Sequence, residues 1–228
     1  MRAALGSVDR DIVYSLCQYG WGDVWTWGPK VGGNLWRTTG DITDTWKSMS
    51  EIGFSQGKNA PYAGPGRWND PDMLVVGWVG WGPNLRPTQL TPDEQYTHIS
   101  LWALLSAPLL IGCDLDRLDD FTLNLLTNDE VLAIDQDHLG KQATSAWRRA
   151  DHQVWVKELA DGGRAVGVFN LGDATRTVDV PLRQIGFKGS WSVRDVWRQR
   201  DLALAKDALA VTVPSHGVVL LRLTEQAR

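Results

Sequence analysis

The hydrophobic rhythm of this chain changes once, near residue 142, and that change limits the folds open to it. Upstream, short apolar runs alternate with helix-like segments. Ile12–Cys17, Asp72–Val76 and Leu109–Gly112 read as strands, and Asn34–Gly40 leads into a carboxylate. Asp44 is placed to cap a helix with Trp46, Met49 and Ile52 or Gly53 facing inward. Thr91, Pro92 and Glu94 spell a capping box with proline at the first helical position, opening a helix to about Ala107 that is apolar on most sides. A last helix covers about Thr122 to Leu126 and resumes at Asp129–Ile134. Strands alternating with helices predict a parallel α/β layer with its chemistry at the C-terminal strand ends. Downstream, the runs Trp155–Glu158, Arg164–Asn170, Thr175–Val180, Ser190–Asp195 and Val218–Leu223 are separated by turn signals such as Asp161-Gly162-Gly163 and Lys188-Gly189. That spacing leaves no room for helical crossovers and predicts an antiparallel β-domain. The division expected is 1–142 and 143–228.

Composition narrows the function classes. With 23 Lys+Arg against 27 Asp+Glu and no basic block, a nucleic-acid surface is not expected. No apolar run is long enough to span a bilayer, and none follows a basic N-terminus as a secretion signal would. Cys17 and Cys113 lack the spacing of a zinc site and are read as small apolar strand-end residues. No metal or cofactor is expected. There are 13 Trp, nine of them before Ala103. Indoles serve as packing or as a platform for the C–H faces of sugar rings, and their number does not separate the two.

Three stretches could carry chemistry. In Trp36-Arg37-Thr38-Thr39-Gly40-Asp41, a carboxylate stands four residues after an arginine at a strand end, as an acid/base beside a positioning cation would. The competing role for Asp41, capping the next helix, suits Asp44 better. In Arg67-Trp68-Asn69-Asp70-Pro71-Asp72-Met73, short polar side chains around a proline suit vicinal sugar hydroxyls or turn capping better than a hard metal. Asp70 and Asp72 are one residue apart and cannot easily share a site, so one of them is expected to be structural. The third stretch, Ser15-Leu16-Cys17-Gln18-Tyr19-Gly20-Trp21, reads on its own as an ordinary strand-to-loop exit. His98 in a helix and His216 in a turn do not look catalytic.

Taken in order, these stretches resemble glycoside hydrolase family 27, the α-galactosidase or melibiase family. Tyr14–Gln18, Trp36–Ile42, Ala63–Gly66 and Trp68–Leu74 carry the resemblance, supported by Ser100–Ala103, Ala107–Gly112, Asp135–Asp137 and Leu139–Gln142. The match is dense over residues 10–142. It implies the second half of a (β/α)8 TIM barrel, strands five to eight, followed by an antiparallel β-sandwich, and retaining hydrolysis of terminal α-galactosides. On that template Asp41 is the general acid/base, and Arg37 and Asp72 hold substrate hydroxyls. Met73 lines the pocket, and Cys17, Gln18, Tyr19 and Trp21 border the sugar. Gln18 stands where many members carry Glu, and Tyr19 where many carry another aromatic. Both touch the specificity side, so β-L-arabinopyranosidase and α-N-acetylgalactosaminidase activities stay open.

Retaining glycosidases need a second carboxylate about 5–5.5 Å from the first. The resemblance puts it at the end of the fourth strand, in a Lys-aromatic-Asp motif that this sequence does not contain. The expectation is therefore a chain without barrel strands one to four, with exposed edges that call for a partner. That partner is a second copy, with Asp114 standing in for the nucleophile, or a complementary N-terminal half. Without one, the chain would be a sugar-binding or assembly fragment.

Overall fold

The computed structural model describes residues 1–80 and 83–226. After helix α1 (Arg2–Gly6), a parallel sheet forms from β1 (Ser15–Leu16), β2 (Leu35–Arg37) and β3 (Trp68–Asp70), in that spatial order. Helix α2 (Val24–Trp27) lies between β1 and β2, and α3 (Trp46–Phe54) between β2 and β3. The strands are shorter than the apolar runs suggest, for identifiable reasons. The side chain of Asn34 accepts from the Tyr14 N–H at 2.8 Å, so the ladder starts only at Ser15. Asp72 has φ +93°, outside the β region, so the strand expected over Asp72–Val76 cannot run on from β3. Within that stretch and the expected Leu109–Gly112 strand, only a parallel bridge between Leu74 and Ile111 remains.

Helix α3 buries Met49 and Gly53, but its cap is Thr45, whose side chain accepts from the Ser48 N–H. Asp44 was expected there. Its carboxylate instead receives the Arg86 guanidinium and the Gln89 N–H, and the Arg86 hydrogen bond holds its pKa down at about 2. Arg86 comes from a two-strand hairpin, β4 (Trp78–Val79) with β5 (Arg86–Pro87), that the sequence did not announce.

Helix α4 (Pro92–Leu105) begins with the expected capping box: Thr91 accepts from the Glu94 N–H at 3.3 Å, and Glu94 accepts from the Thr91 N–H at 2.8 Å. Its residues from Thr97 through Leu105 are all buried, because the helix lies between the parallel layer and a second sheet. Helices α5 (Asp120–Thr127) and α6 (Asp129–Asp135) follow.

The rest is antiparallel. It comprises β6 (Thr144–Arg149), β7 (His152–Glu158), β8 (Arg164–Asn170), β9 (Arg176–Val180), β10 (Trp191–Asp195), β11 (Arg200–Asp201), β12 (Leu209–Val213) and β13 (Val218–Glu225). Six form one sheet in the order β11-β10-β13-β8-β7-β6, and β12 pairs with β9 beside it. The period-2 alternation of strands divides the apolar residues between two cores. Val154, Val166, Val168, Val219, Leu221 and Leu223 face Val178, Val180, Val211 and Val213 of the smaller sheet. Their neighbours Trp155, Ala165, Phe169 and Leu220 face α4. Gly167 lets β8 come close to the helix: a Cβ there would stand 2.6 Å from Leu104 Cδ1. Lys157, fully buried on β7, sends its ammonium to the carbonyls of Ala103 and Ile134 and to the Ser106 hydroxyl, where α4 and α6 end.

Both cysteines are free. Trp36, Trp102 and Trp155 are fully buried, and each indole N–H has a partner, so packing accounts for these three.

Candidate functional site

The exits of β2 and β3 meet at Arg37. Its Nη2 lies 2.7 Å from Asp72 Oδ2 and 3.2 Å from Asp41 Oδ1, so one guanidinium bridges two carboxylates. Arg37 itself is buried, and its Nε has no partner. The Asp41 side chain is 73% exposed and caps no helix, whereas that of Asp72 is 9% exposed. An exposed carboxyl group beside a fixed cation, at the end of a parallel strand, can give or accept a proton at a ligand in solvent.

The loop after β1 folds over the same cation. The Gly20 N–H donates to Arg37 O at 3.0 Å, and a Cβ at Gly20 would stand 2.3 Å from Thr38 O. With φ +79° as well, this position requires glycine. The Tyr19 ring lies 5.2 Å from the Arg37 guanidinium carbon, and the charge of Asp41 pushes its phenol pKa up. Cys17 adjoins Tyr19, also raising its pKa. Gln18 and Trp21 lie exposed on the same loop. Met73 packs under Gly112, where a Cβ would meet its sulfur at 2.6 Å. Arg37, Asp41, Asp72, Tyr19 and Cys17 thus come together, with Met73 beside Asp72, while Gln18 and Trp21 extend the rim.

Three contacts support this arrangement, of which only the one from Asp70 had a counterpart in the sequence reading. The Ile42 N–H donates to Asp72 Oδ2 at 2.8 Å, tying the residue after Asp41 to the neighbouring strand exit. The Trp102 indole donates to the Asp72 carbonyl at 2.7 Å. The Asp72 N–H donates to Asp70 Oδ1 at 2.8 Å, an i to i+2 turn of the kind that Asp-Pro favours, and so the one support with a local signal. Asp70 is the structural member of the pair: it is buried, and burial pushes its pKa up. Asp114 is engaged elsewhere, accepting from the Asp116 N–H and pairing with Arg117 at 3.4 Å. Among the described residues, no group of three or more His, Cys, Asp or Glu side chains is arranged to hold a metal ion.

Residues 1–137 match the family profile described as alpha galactosidase A, and residues 149–223 match that of the alpha galactosidase C-terminal beta sandwich domain. The chain is 40% identical to an alpha-galactosidase of Cyamopsis tetragonoloba over 229 aligned positions, covering 100% of this chain and 53% of that protein. It superposes with a TM-score of 0.92 and 35% identity on a proposed alpha-galactosidase/melibiase from Bacteroides fragilis, covering 98% of this chain and 49% of the other. A GH27 β-L-arabinopyranosidase from Geobacillus stearothermophilus gives a TM-score of 0.87 at 34% identity, over 99% of this chain and 52% of the other. The chain therefore spans about half the length of the relatives it matches. Profile, relatives and fold agree, and the chain belongs to the α-galactosidase (melibiase) family of glycoside hydrolases.

Proposed function

We propose that this chain carries the acid/base side of a retaining glycosidase site for terminal α-galactosides, on a barrel layer of residues 1–142 backed by a sandwich of residues 143–228. The observation that carries the reading is the Arg37 bridge, which gathers Asp41 and Asp72 at adjacent strand exits. Asp41, protonated, gives its proton to the glycosidic oxygen as the C–O bond breaks. A second carboxylate, from a segment bearing the Lys-aromatic-Asp motif, takes the anomeric carbon as a glycosyl ester. Asp41 then removes a proton from the water that hydrolyses the ester, so the configuration is retained. Arg37 and Asp72 hold sugar hydroxyls, Met73 forms the floor, and Cys17, Gln18, Tyr19 and Trp21 form the rim.

The second carboxylate requires a partner. Val13, Leu110 and Ile111 are exposed apolar residues, and β1 lies at the edge of its sheet. We propose that a complementary barrel half or a second copy covers these residues and the open edge of β1. Without it, the chain binds sugar and does not hydrolyse it.

Release of p-nitrophenol from the α-galactoside, with and without a complementary half added in trans, tests both statements. Turnover in the completed assembly should fall by about 10²–10⁴-fold in Asp41→Ala; unchanged turnover in that variant ends the assignment. The Geobacillus neighbour keeps the glycone open. The same assay with the β-L-arabinopyranoside and the α-N-acetylgalactosaminide decides it by the ratio of kcat/KM values.

A further inference from the structure

Seven described non-glycine residues have positive φ. Six lie between 47° and 53°, within the left-handed well that L-residues can enter, whereas Asp72 lies at 93°, beyond it. Asp72 is also the residue whose carboxylate meets Arg37. A conformation this rare persists only where its surroundings impose it.

Two buried groups do so from opposite ends of the residue. Asp70, 2% exposed, accepts from the Asp72 N–H, and Trp102, fully buried on α4, donates to the Asp72 carbonyl. With both backbone polar groups held, the carboxylate meets three donors. Its Oδ1 receives the Met73 N–H at 2.7 Å, and its Oδ2 receives Arg37 Nη2 and the Ile42 N–H. Those two partners of Oδ2 are the tethers of Asp41. Arg37 holds its carboxylate, and Ile42 is the next residue along the chain.

We propose that Asp70 and Trp102 are positioning residues for proton transfer: they hold Asp72 in its rare positive-φ conformation, and its carboxylate, through Arg37 and the Ile42 N–H, fixes where Asp41 is presented. The catalytic part of this inference rests on the glycosidase reading above; the clamp itself does not. Neither residue touches the sugar face. Asp70 acts through a backbone N–H, for which an amide oxygen is an adequate acceptor, so its charge is dispensable and its acceptor is not.

The test is amide hydrogen exchange by NMR on the full 15N-labelled chain, comparing Asp70→Ala, Asp70→Asn and Trp102→Phe with the wild type. Asp70→Ala should lose at least tenfold in protection at Ile42 and Met73 while the amides of α4 keep theirs. Asp70→Asn should stay within about twofold of wild type at both. Trp102→Phe, which keeps an aromatic ring on α4 but removes the indole N–H together with its five-membered ring, should lose at least threefold more protection at Ile42 and Met73 than at the amides of α4. Unchanged protection at Ile42 in Asp70→Ala overturns the clamp, as does a uniform fall that includes α4. If Asp70→Ala does not fold, unchanged protection in Trp102→Phe overturns it equally. In an assembly that releases p-nitrophenol, Asp70→Ala should lower kcat at least tenfold, and by a larger factor than it raises KM through the sugar contacts of Asp72, with Asp70→Asn restoring both. A larger effect on KM than on kcat removes the link to proton transfer. Absence of turnover in every wild-type assembly ends the glycosidase reading, while exchange still decides the clamp.

Discussion

His98 is the most deeply buried titratable residue of the parallel layer, and its hydrogen bond dictates its charge. Its Nε2 accepts from the Val75 N–H at 3.1 Å, and its ring stands edge-on to Trp102 with centroids 4.2 Å apart. Protonation at Nε2 would set two donors against each other in a fully buried site, and burial pulls the pKa down to about 3. The unfolded chain takes up this proton near pH 6.5, whereas the folded chain resists until about 3. The contribution to stability is therefore complete above pH 6.5 and is lost as the pH falls from there towards 3. Between pH 7 and pH 5 the loss should be about 2 kcal/mol. Urea unfolding at both pH values should show a smaller drop for His98→Gln, which keeps an oxygen for Val75. Equal drops would mean that His98 plays no part. At this scale type and spacing pointed to Arg37 and Asp41 as neighbours, and the structure does bring them together; they did not tell Asp72 from Asp70, whose roles the fold separates. The sequence was silent about Ile42 and Trp102, whose contributions are a backbone N–H and an indole N–H reaching Asp72 from 30 positions away in either direction.

Among the elements, α4 was the most readable, since its start depends on neighbours in sequence. Thr91→Ala removes the acceptor for Glu94 and should cost about 1 kcal/mol, with Thr91→Ser recovering most of it, as measured by the urea midpoint. The cap of α3 was misplaced by one residue because Asp44 and Thr45 are both good caps. Arg86, from a hairpin 42 residues downstream, decides between them by engaging Asp44. The hydrophobic run Asp72–Val76 looked like the strand, yet the ladder partner of β2 is Trp68–Asp70. An apolar run marks what is buried, and in this layer the loop inside the sheet exit is buried too. Strands β6 and β12 went unread for the opposite reason: β6 alternates exposed and half-buried residues, and β12 presents only Val211 and Val213 as buried.

At the scale of the molecule, the two-layer plan was visible in the change of rhythm, but not the way the layers meet. Periodicity tells which residues share a face; it does not tell what that face touches. Gly167 looks like a weak point in a strand, yet it is where β8 approaches α4. Gly167→Ala should destabilise the protein by about 1–3 kcal/mol through overpacking against Leu104 and Phe169, visible as a lowered Tm. Similarly, Lys157 is a charged residue on a strand, yet it shares the inner face with Trp155 and is wholly enclosed. Its ammonium adds a charged donor at the carboxyl ends of α4 and α6, where it meets the Ala103 and Ile134 carbonyls. The β-module is thus part of the foundation on which the parallel layer is erected rather than an appendage. A foreign sandwich spliced in its place would have to bring a lysine at the same register, or give up a cation that reaches both helix ends.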